Sequence, residues 1–215
     1  MANVGHGKKF EIMKEKLLEK AKVEFFTNGY KSTKIADVCD KAGVDNNAVA
    51  RVFCDKESLF LSVIEQVIKD QNKIVKKLLG STKDNLLEYL MQYVMLLSLA
   101  KESDQSCENF TVYYEKKKIK EDKRLYDKLQ EDLSNMSKQD FYVCLVALNG
   151  IMSKFISLPC VSFSIKDKAE KFICFALSLL NIEKQRAQQI IDFLSGNFSK
   201  IQSQSHDFFE QIIKN

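Results

Sequence analysis

Apolar side chains recur every three or four residues along most of the 215-residue chain, which is the spacing of amphipathic helices. The first segment with this pattern runs from Lys8 to Thr27 and places Leu17, Ala21 and Phe25 on one face. Asn28-Gly29 follows, and glycine suits the left-handed position after the end of a helix. The pattern therefore predicts a first helix over 8–27.

Two short helices are predicted next, on either side of an Ala-Gly-Val corner. Thr33 is a suitable N-cap for a helix over Lys34–Ala42, which Gly43 would end. Asp45 is a suitable cap for a third helix over Asn46–Phe53.

The rest of the chain also predicts helices, without repeats or an evident linker. A long amphipathic helix begins at the cap residue Asp55 and ends at about Leu79, before Gly80-Ser81. Pro159 marks a loop later in the chain. Further helices are predicted at 82–101, 106–118, 120–135, 137–157, 165–181, 183–203 and 205–213.

Composition supports an all-α fold. Only 7 glycines and 1 proline occur, while 45% of residues are hydrophobic and 29% are charged. The net charge is +4, and it is spread evenly: residues 1–60 have 11 Lys/Arg and 9 Asp/Glu (+2), and the remainder has 22 and 20 (+2). Any contact with a polyanion must therefore be local.

No pattern indicates an enzyme, a metal centre or a cofactor. The two histidines, His6 and His206, lie near opposite ends, and no glycine-rich phosphate loop or nucleophile motif occurs. The six cysteines are dispersed without a C-x-x-C pair, which favours buried, reduced thiols in a cytosolic protein. A redox role for Cys54 or Cys107 is the alternative.

The sequence does not predict membrane insertion. Its N-terminus has no apolar core of a signal peptide, and the apolar run Leu86–Ala100 is too short to span a bilayer. We expect a cytoplasmic protein.

The segment from Ser32 to Phe60 predicts a helix-turn-helix. Its apolar residues can face the first helix, which leaves a polar outer face on the short third helix. Asparagine can bond adenine edges, arginine can bond guanine or phosphate, and alanine can contact the thymine methyl group. A structural corner with incidental polar residues is the alternative. The residues expected at the outer face are Asn46, Asn47, Ala48, Ala50 and Arg51.

The stretch from Lys14 to Phe60 resembles the N-terminal domain of the tetracycline-repressor (TetR) family of transcriptional regulators. The matching residues are "LLEKAKVEFFTNGYKST" (17–33), "AGV" (42–44) and F-x-x-K-E-x-L-F (53–60). The resemblance implies an all-α protein with an N-terminal three-helix DNA-binding domain, residues 1–54, and a larger helical ligand-binding and dimerisation domain, residues 55–215. The DNA-binding residues it implies are Thr33, Lys34, Asn46, Asn47, Ala48, Arg51 and Lys56.

The third helix departs from the family pattern. Ala48 and Ala50 stand where the family usually has a threonine and a tyrosine that contact phosphates, and Asp45 places a carboxylate at the start of that helix. Both changes weaken electrostatic attraction to DNA. The alternative to a regulator is thus a helical dimeric interaction protein that keeps the fold without operator recognition.

Two further expectations concern the C-terminal region. Segments 137–157 and 165–181 carry more apolar surface than one helix face needs, which predicts a homodimer. A small apolar or amphipathic ligand is expected among aromatic residues of helices that pack together, although a filled aromatic core explains them equally well. These candidate ligand-binding residues are Tyr89, Tyr93, Met95, Phe110, Tyr113, Tyr114, Phe141 and Phe155.

Overall fold

The computed structural model describes residues 4–117, 123–133, 136–158 and 163–214, with side chains from residue 8 onward except that of residue 123. Over these ranges the chain forms ten helices and no strand, which confirms the all-α prediction. The helices are α1 (Val4–Ser32), α2 (Ile35–Ala42), α3 (Ala48–Phe53), α4 (Lys56–Leu79), α5 (Asn85–Ala100), α6 (Asp104–Lys116), α7 (Lys123–Leu129), α8 (Lys138–Ser157), α9 (Ile165–Leu179) and α10 (Lys184–Lys214).

The first three helices form the predicted N-terminal unit. Leu17, Ala21 and Phe25 of α1 are fully buried, and α2 and α3 pack against this side of α1. The buried carboxylate of Glu24 links α1 to α2, because it accepts a hydrogen bond from Lys41 of α2. It also accepts one from Asn28 of α1.

Several predicted helix ends are correct. Gly43 follows α2 in the left-handed conformation, with φ +65°. Asp55 caps α4 by accepting a hydrogen bond from the Ser58 amide at 2.7 Å. Gly29 interrupts α1 with φ +81° and ψ 161°, although one more helical turn follows it to Ser32.

Other predicted boundaries are wrong. Thr33 does not cap α2, since its hydroxyl donates back to the Gly29 carbonyl at 2.7 Å and Lys34 occupies the cap position. The helices expected at 183–203 and 205–213 are one continuous helix, α10, because Gln204 does not interrupt the apolar spacing. The Pro159 loop lies outside the described residues.

The larger region is built around α5. Thirteen of the sixteen residues of α5 are buried, and α4, α6, α9 and α10 all pack against it. A helix that is apolar on nearly all sides needs neighbours on all sides, so α5 is the centre of this helical bundle.

Helix α6 joins this bundle to the N-terminal unit. The buried Asn109 side chain donates to the Phe25 carbonyl at 2.7 Å, and Glu108 accepts from the Lys31 amide at 2.8 Å. The division at residues 54 and 55 stays a prediction, since α6 of the second unit packs along α1 of the first.

Exposure of the cysteines differs in part from the prediction. Cys39 and Cys144 are buried, whereas Cys54 and Cys174 are exposed and Cys107 is half-buried. The apolar neighbours of Cys174 misled the prediction, because adjacent helical positions face different directions.

Among the described residues, α8 is the one helix long and apolar enough to cross a membrane, by length and composition alone. About 44% of its apolar window is buried inside the protein, and core helices of globular proteins meet the same criterion. This property of α8 is therefore weak evidence for a membrane span.

We expect Gly29→Ala to lower the free energy of unfolding by roughly 1–2 kcal/mol, because an added Cβ is strained at positive φ. That Cβ would also lie 2.7 Å from Oε2 of Glu108. Gly196→Ala is the matched control: this glycine lies within α10, and beyond the adjoining residues and backbone of its own helix no atom lies within 4 Å of the added Cβ. It should stabilise the protein by about 0.5–1 kcal/mol. Urea unfolding measures the change in the free energy of unfolding for both variants. Equal changes would show that the positive φ of Gly29 has no importance for stability.

Candidate functional site

The α2–α3 corner is fixed by buried apolar residues and one tight turn. Val38, Val49 and Phe53 face the core beneath the corner, and the Val44 amide donates to the Cys39 carbonyl at 3.1 Å. The six residues of α3 consequently lie at the surface with one side packed and the other free.

The outer side of this corner carries a compact set of polar groups. Asn46, Asn47 and Arg51 are exposed on or just before α3, and Lys34 is exposed at the start of α2. Side chains of these types can donate to base edges and to phosphate oxygens.

Two of the predicted DNA-binding residues are buried instead. Ala48 has no exposed surface, because α3 begins two residues later than expected and its first residue faces the core. Thr33 is 2% exposed, and its hydroxyl donates to the Gly29 carbonyl and lies 3.1 Å from the Glu24 carbonyl. Neither side chain can contact a partner molecule in this conformation.

Asp45 and Arg51 form a two-pronged ion pair across the start of α3. Nη1 of Arg51 lies 3.0 Å from Oδ1 of Asp45, and Nη2 lies 2.5 Å from Oδ2. Oδ1 of Asp45 also accepts from the Asn47 amide at 3.0 Å, so Asp45 stabilises the turn before α3 rather than the first turn of the helix. The hydrogen bond from Arg51 is the largest cause that lowers the pKa of Asp45.

Lys56 lies half-buried at the junction of α1 and α4. Its Nζ is 4.8 Å from the centroid of the Tyr30 ring and 3.4 Å from the Lys31 carbonyl. Burial lowers the pKa of Lys56. The ammonium is thus engaged within the protein, unlike that of the exposed Lys34.

A second candidate site is a cavity of about 770 Å³ among α4, α5, α6 and α8. It begins at Asp55 and Glu57, where α4 leaves the helix-turn-helix, and reaches Asn149 of α8. Leucine and isoleucine residues form part of its wall. The full lining is Asp55, Glu57, Ser58, Leu61, Glu65, Ile68, Gln71, Tyr89, Gln92, Tyr93, Leu96, Tyr113, Tyr114, Lys116, Lys117, Leu125, Leu145 and Asn149.

Four tyrosines supply much of the chemistry of this cavity. The hydroxyls of Tyr89 and Tyr93 are 2.8 Å apart, and the Tyr113 and Tyr114 rings meet edge to face at 5.4 Å. Burial raises the pKa of all four, that of Tyr93 to about 12, so each phenol is protonated at neutral pH.

Gln71 lines the cavity without any exposed surface. Its Nε2 donates to the Gln92 carbonyl at 2.8 Å, while its Oε1 has no hydrogen-bond partner. A buried acceptor without a donor costs roughly 1–3 kcal/mol. Because this oxygen has no exposed surface, it acts on the cavity through its partial negative charge.

Half of the predicted ligand-binding residues line this cavity: Tyr89, Tyr93, Tyr113 and Tyr114. Met95, Phe110 and Phe141 belong instead to the packed core, and Phe155 lines a separate cavity of about 530 Å³ near the ends of α5 and α8. Met95 follows Tyr93 by two positions, which places the two side chains on different sides of α5.

The sequence prediction missed the polar residues of the cavity, chiefly Glu65, Gln71, Gln92, Lys117 and Asn149. Glutamine at an apolar position of the α4 pattern, as at residue 71, was the one signal for them in the sequence.

Residues 17–63 match the family described as bacterial regulatory proteins, tetR family. This segment extends from α1 into α4, so the resemblance seen in the sequence is confirmed over the helix-turn-helix region. A crystal structure of a TetR-family transcriptional regulator from Mesorhizobium loti is also similar, with 13% identity, 95% of this chain and 96% of that chain covered, and a TM-score of 0.33. A TM-score this low supports no argument about this chain. No curated protein matches the chain.

We expect the pKa of Asp45 to lie below that of an ordinary aspartate and to rise in Arg51→Met, since the Arg51 hydrogen bond is the main cause of the shift. A lowered pKa means that the pair stabilises the fold above the unfolded-state pKa, and that this contribution disappears as pH falls through the folded-state pKa. Carboxyl NMR titration measures both values. Lys34→Met is the control and should leave Asp45 unchanged; an Asp45 pKa that is the same with and without Arg51 would contradict the pair.

Proposed function

We propose that the chain is a cytoplasmic transcriptional repressor that binds a palindromic double-stranded DNA operator as a homodimer and releases it in response to a small molecule. The observation that carries this proposal is the exposed polar face of α3 within a segment that matches the tetR family. Such a short exposed helix on a tight corner fits the major groove.

Most of the proposed DNA contacts are exposed side chains. Asn46, Asn47 and Arg51 are the proposed base or phosphate contacts of α3, and the exposed Lys34 and the half-buried Lys56 are the proposed phosphate contacts beside it. In a dimer, two α3 helices about 34 Å apart would enter successive major grooves.

Helices α8 and α9 are the proposed dimer interface. Val143 and Val146 of α8 are 61% and 43% exposed, and Phe175 of the adjacent α9 is 40% exposed. Gly150 lies on the same exposed face of α8, and open space surrounds the position of an added Cβ there. Burial of this apolar surface against a second copy would remove it from water.

The 770 Å³ cavity is the proposed ligand site. One wall of it is α6, which also carries Asn109 and Glu108, the residues bonded to α1. Lys116, at the cavity edge, forms an ion pair with Glu57 in the first turn of α4. A ligand that displaces α6 would therefore move the attachments of the DNA-binding unit.

A second candidate function is a dimeric interaction protein without operator recognition. The Asp45–Arg51 pair favours it, because the guanidinium expected to contact DNA already binds a carboxylate. This carboxylate would also face the phosphates.

Arg51→Ala should weaken binding to the DNA upstream of its own gene by roughly 1–3 kcal/mol, whereas Asp45→Ser should strengthen it. The first change removes a contact, and the second frees Arg51 and removes a negative charge. Fluorescence anisotropy over a salt series measures both affinities. Arg124→Ala, an exposed arginine of α7, is the control and should have little effect.

If the wild-type protein shows no sequence preference and no retention at low salt, and both variants behave alike, the second candidate function replaces the first.

We expect Val143→Glu and Phe175→Glu each to convert the dimer into a monomer, because each buries a charge in an apolar interface. Light scattering at micromolar concentration measures the mass. Phe10→Glu is the matched control, since Phe10 is equally exposed, at 40%, but lies on α1. A wild-type monomer, or dimers in all three variants, would show that α8 and α9 do not form the interface.

A further inference from the structure

A lysine side chain of the protein lies against the aromatic wall of the cavity. Lys117 follows α6 directly, and its Nζ lies 5.3 Å from the centroid of the Tyr113 ring and 6.0 Å from that of Tyr114. A cation at this distance is attracted by the electron-rich faces of aromatic rings.

Contact with the two tyrosine rings costs the Lys117 ammonium part of its hydration. Lys117 keeps access to solvent, yet burial lowers its pKa, and the charge of Glu65 opposes that shift only in part. A primary ammonium is compact and strongly hydrated. A cation with alkyl groups on its nitrogen has less hydration to lose on the same tyrosines.

The charged groups around the cavity also favour a positive occupant. The lining has three carboxylates, Asp55, Glu57 and Glu65, and two ammonium groups, Lys116 and Lys117. The formal charge of the lining is therefore −1, and it becomes −2 when the Lys117 ammonium leaves the cavity. Lys116 would remain bound to Glu57.

The buried Oε1 of Gln71, which has no hydrogen-bond partner, also favours a positively charged ligand. This oxygen is an acceptor with a partial negative charge, so it attracts a cation and disfavours a carboxylate. Its orientation is fixed, since the Nε2 of the same amide donates to the Gln92 carbonyl.

We infer that the Lys117 ammonium occupies the position of the ligand's cationic group. The cavity then binds a weakly hydrated organic cation, which displaces this ammonium from Tyr113 and Tyr114. This inference rests on the proposed ligand-binding function. Because Lys117 directly follows α6, its displacement changes the contacts at the C-terminal end of the helix whose Glu108 and Asn109 are bonded to α1.

The test uses the full chain and three benzyl probes that differ in charge: benzyltrimethylammonium, its uncharged carbon analogue neopentylbenzene, and the smaller anion phenylacetate. Calorimetry measures their affinities for wild type, Lys117→Ala and Tyr113→Leu. Lys69→Ala is the charge-matched control, since Lys69 is an exposed residue of α4 outside the cavity lining. Circular dichroism checks that each variant is folded.

We expect the cation alone to bind wild type with measurable affinity. Lys117→Ala should tighten its binding by about threefold or more, because the competing ammonium is gone, and Tyr113→Leu should weaken it by a similar factor. Lys69→Ala should change it much less, because its charge is more distant from the ligand.

Phenylacetate binding that Lys117→Ala abolishes would show that Lys117 is a ligand for anions, and would overturn the inference. Equal binding of the neutral probe and the cation, no binding of any probe, or equal effects of Lys117→Ala and Lys69→Ala would overturn it as well.

These outcomes are separable from the proposed function, which the DNA titrations test without any ligand. Retained operator binding with no cation binding refutes only the inference. Cation binding in a protein that retains no DNA refutes the regulator and leaves the inference standing.

Discussion

The attachment of α6 to the end of α1 is the interaction on which the rest of the arrangement depends. Glycine at position 29 interrupts α1 at positive φ, and two residues later the Lys31 amide donates to Glu108 instead of within the helix. The Asn109 side chain also donates a hydrogen bond to the Phe25 carbonyl. The N-terminal unit and the cavity wall are therefore joined by hydrogen bonds between side chains of α6 and the backbone of α1, which tie the position of α1 to that of α6.

The N-terminal half of the fold was largely predictable because its signals are local. Glycines 29 and 43 and the Asp55 cap mark ends that depend on a few neighbouring residues. The failures arose where the answer depends on packing. Ala48 and Thr33 have small side chains whose burial no local pattern shows, and α10 continues past the predicted break because its apolar face remains in register with α5.

The candidate cavity illustrates the same limit. Sequence spacing identified its tyrosines, since aromatic residues with hydroxyl groups are recognisable one at a time. It could not bring Gln71 of α4, Lys117 after α6 and Asn149 of α8 together, because residues separated by up to 78 positions meet only through the bundle geometry. The ion pair of Asp45 with Arg51 was likewise hidden: the sequence suggested a cap and a base contact, and the structure shows one paired unit.

The continuity of α10 has a mechanical consequence. Its 31 residues give a rod about 46 Å long at a rise of 1.5 Å per residue. It packs against α9, part of the proposed subunit interface, and against α1 of the N-terminal unit. A pivot of about 5° at one end of such a rod moves the other end by about 4 Å, roughly three-quarters of the rise of one helical turn. In the proposed homodimer, small rearrangements between subunits would thus be amplified into the spacing of the two N-terminal units.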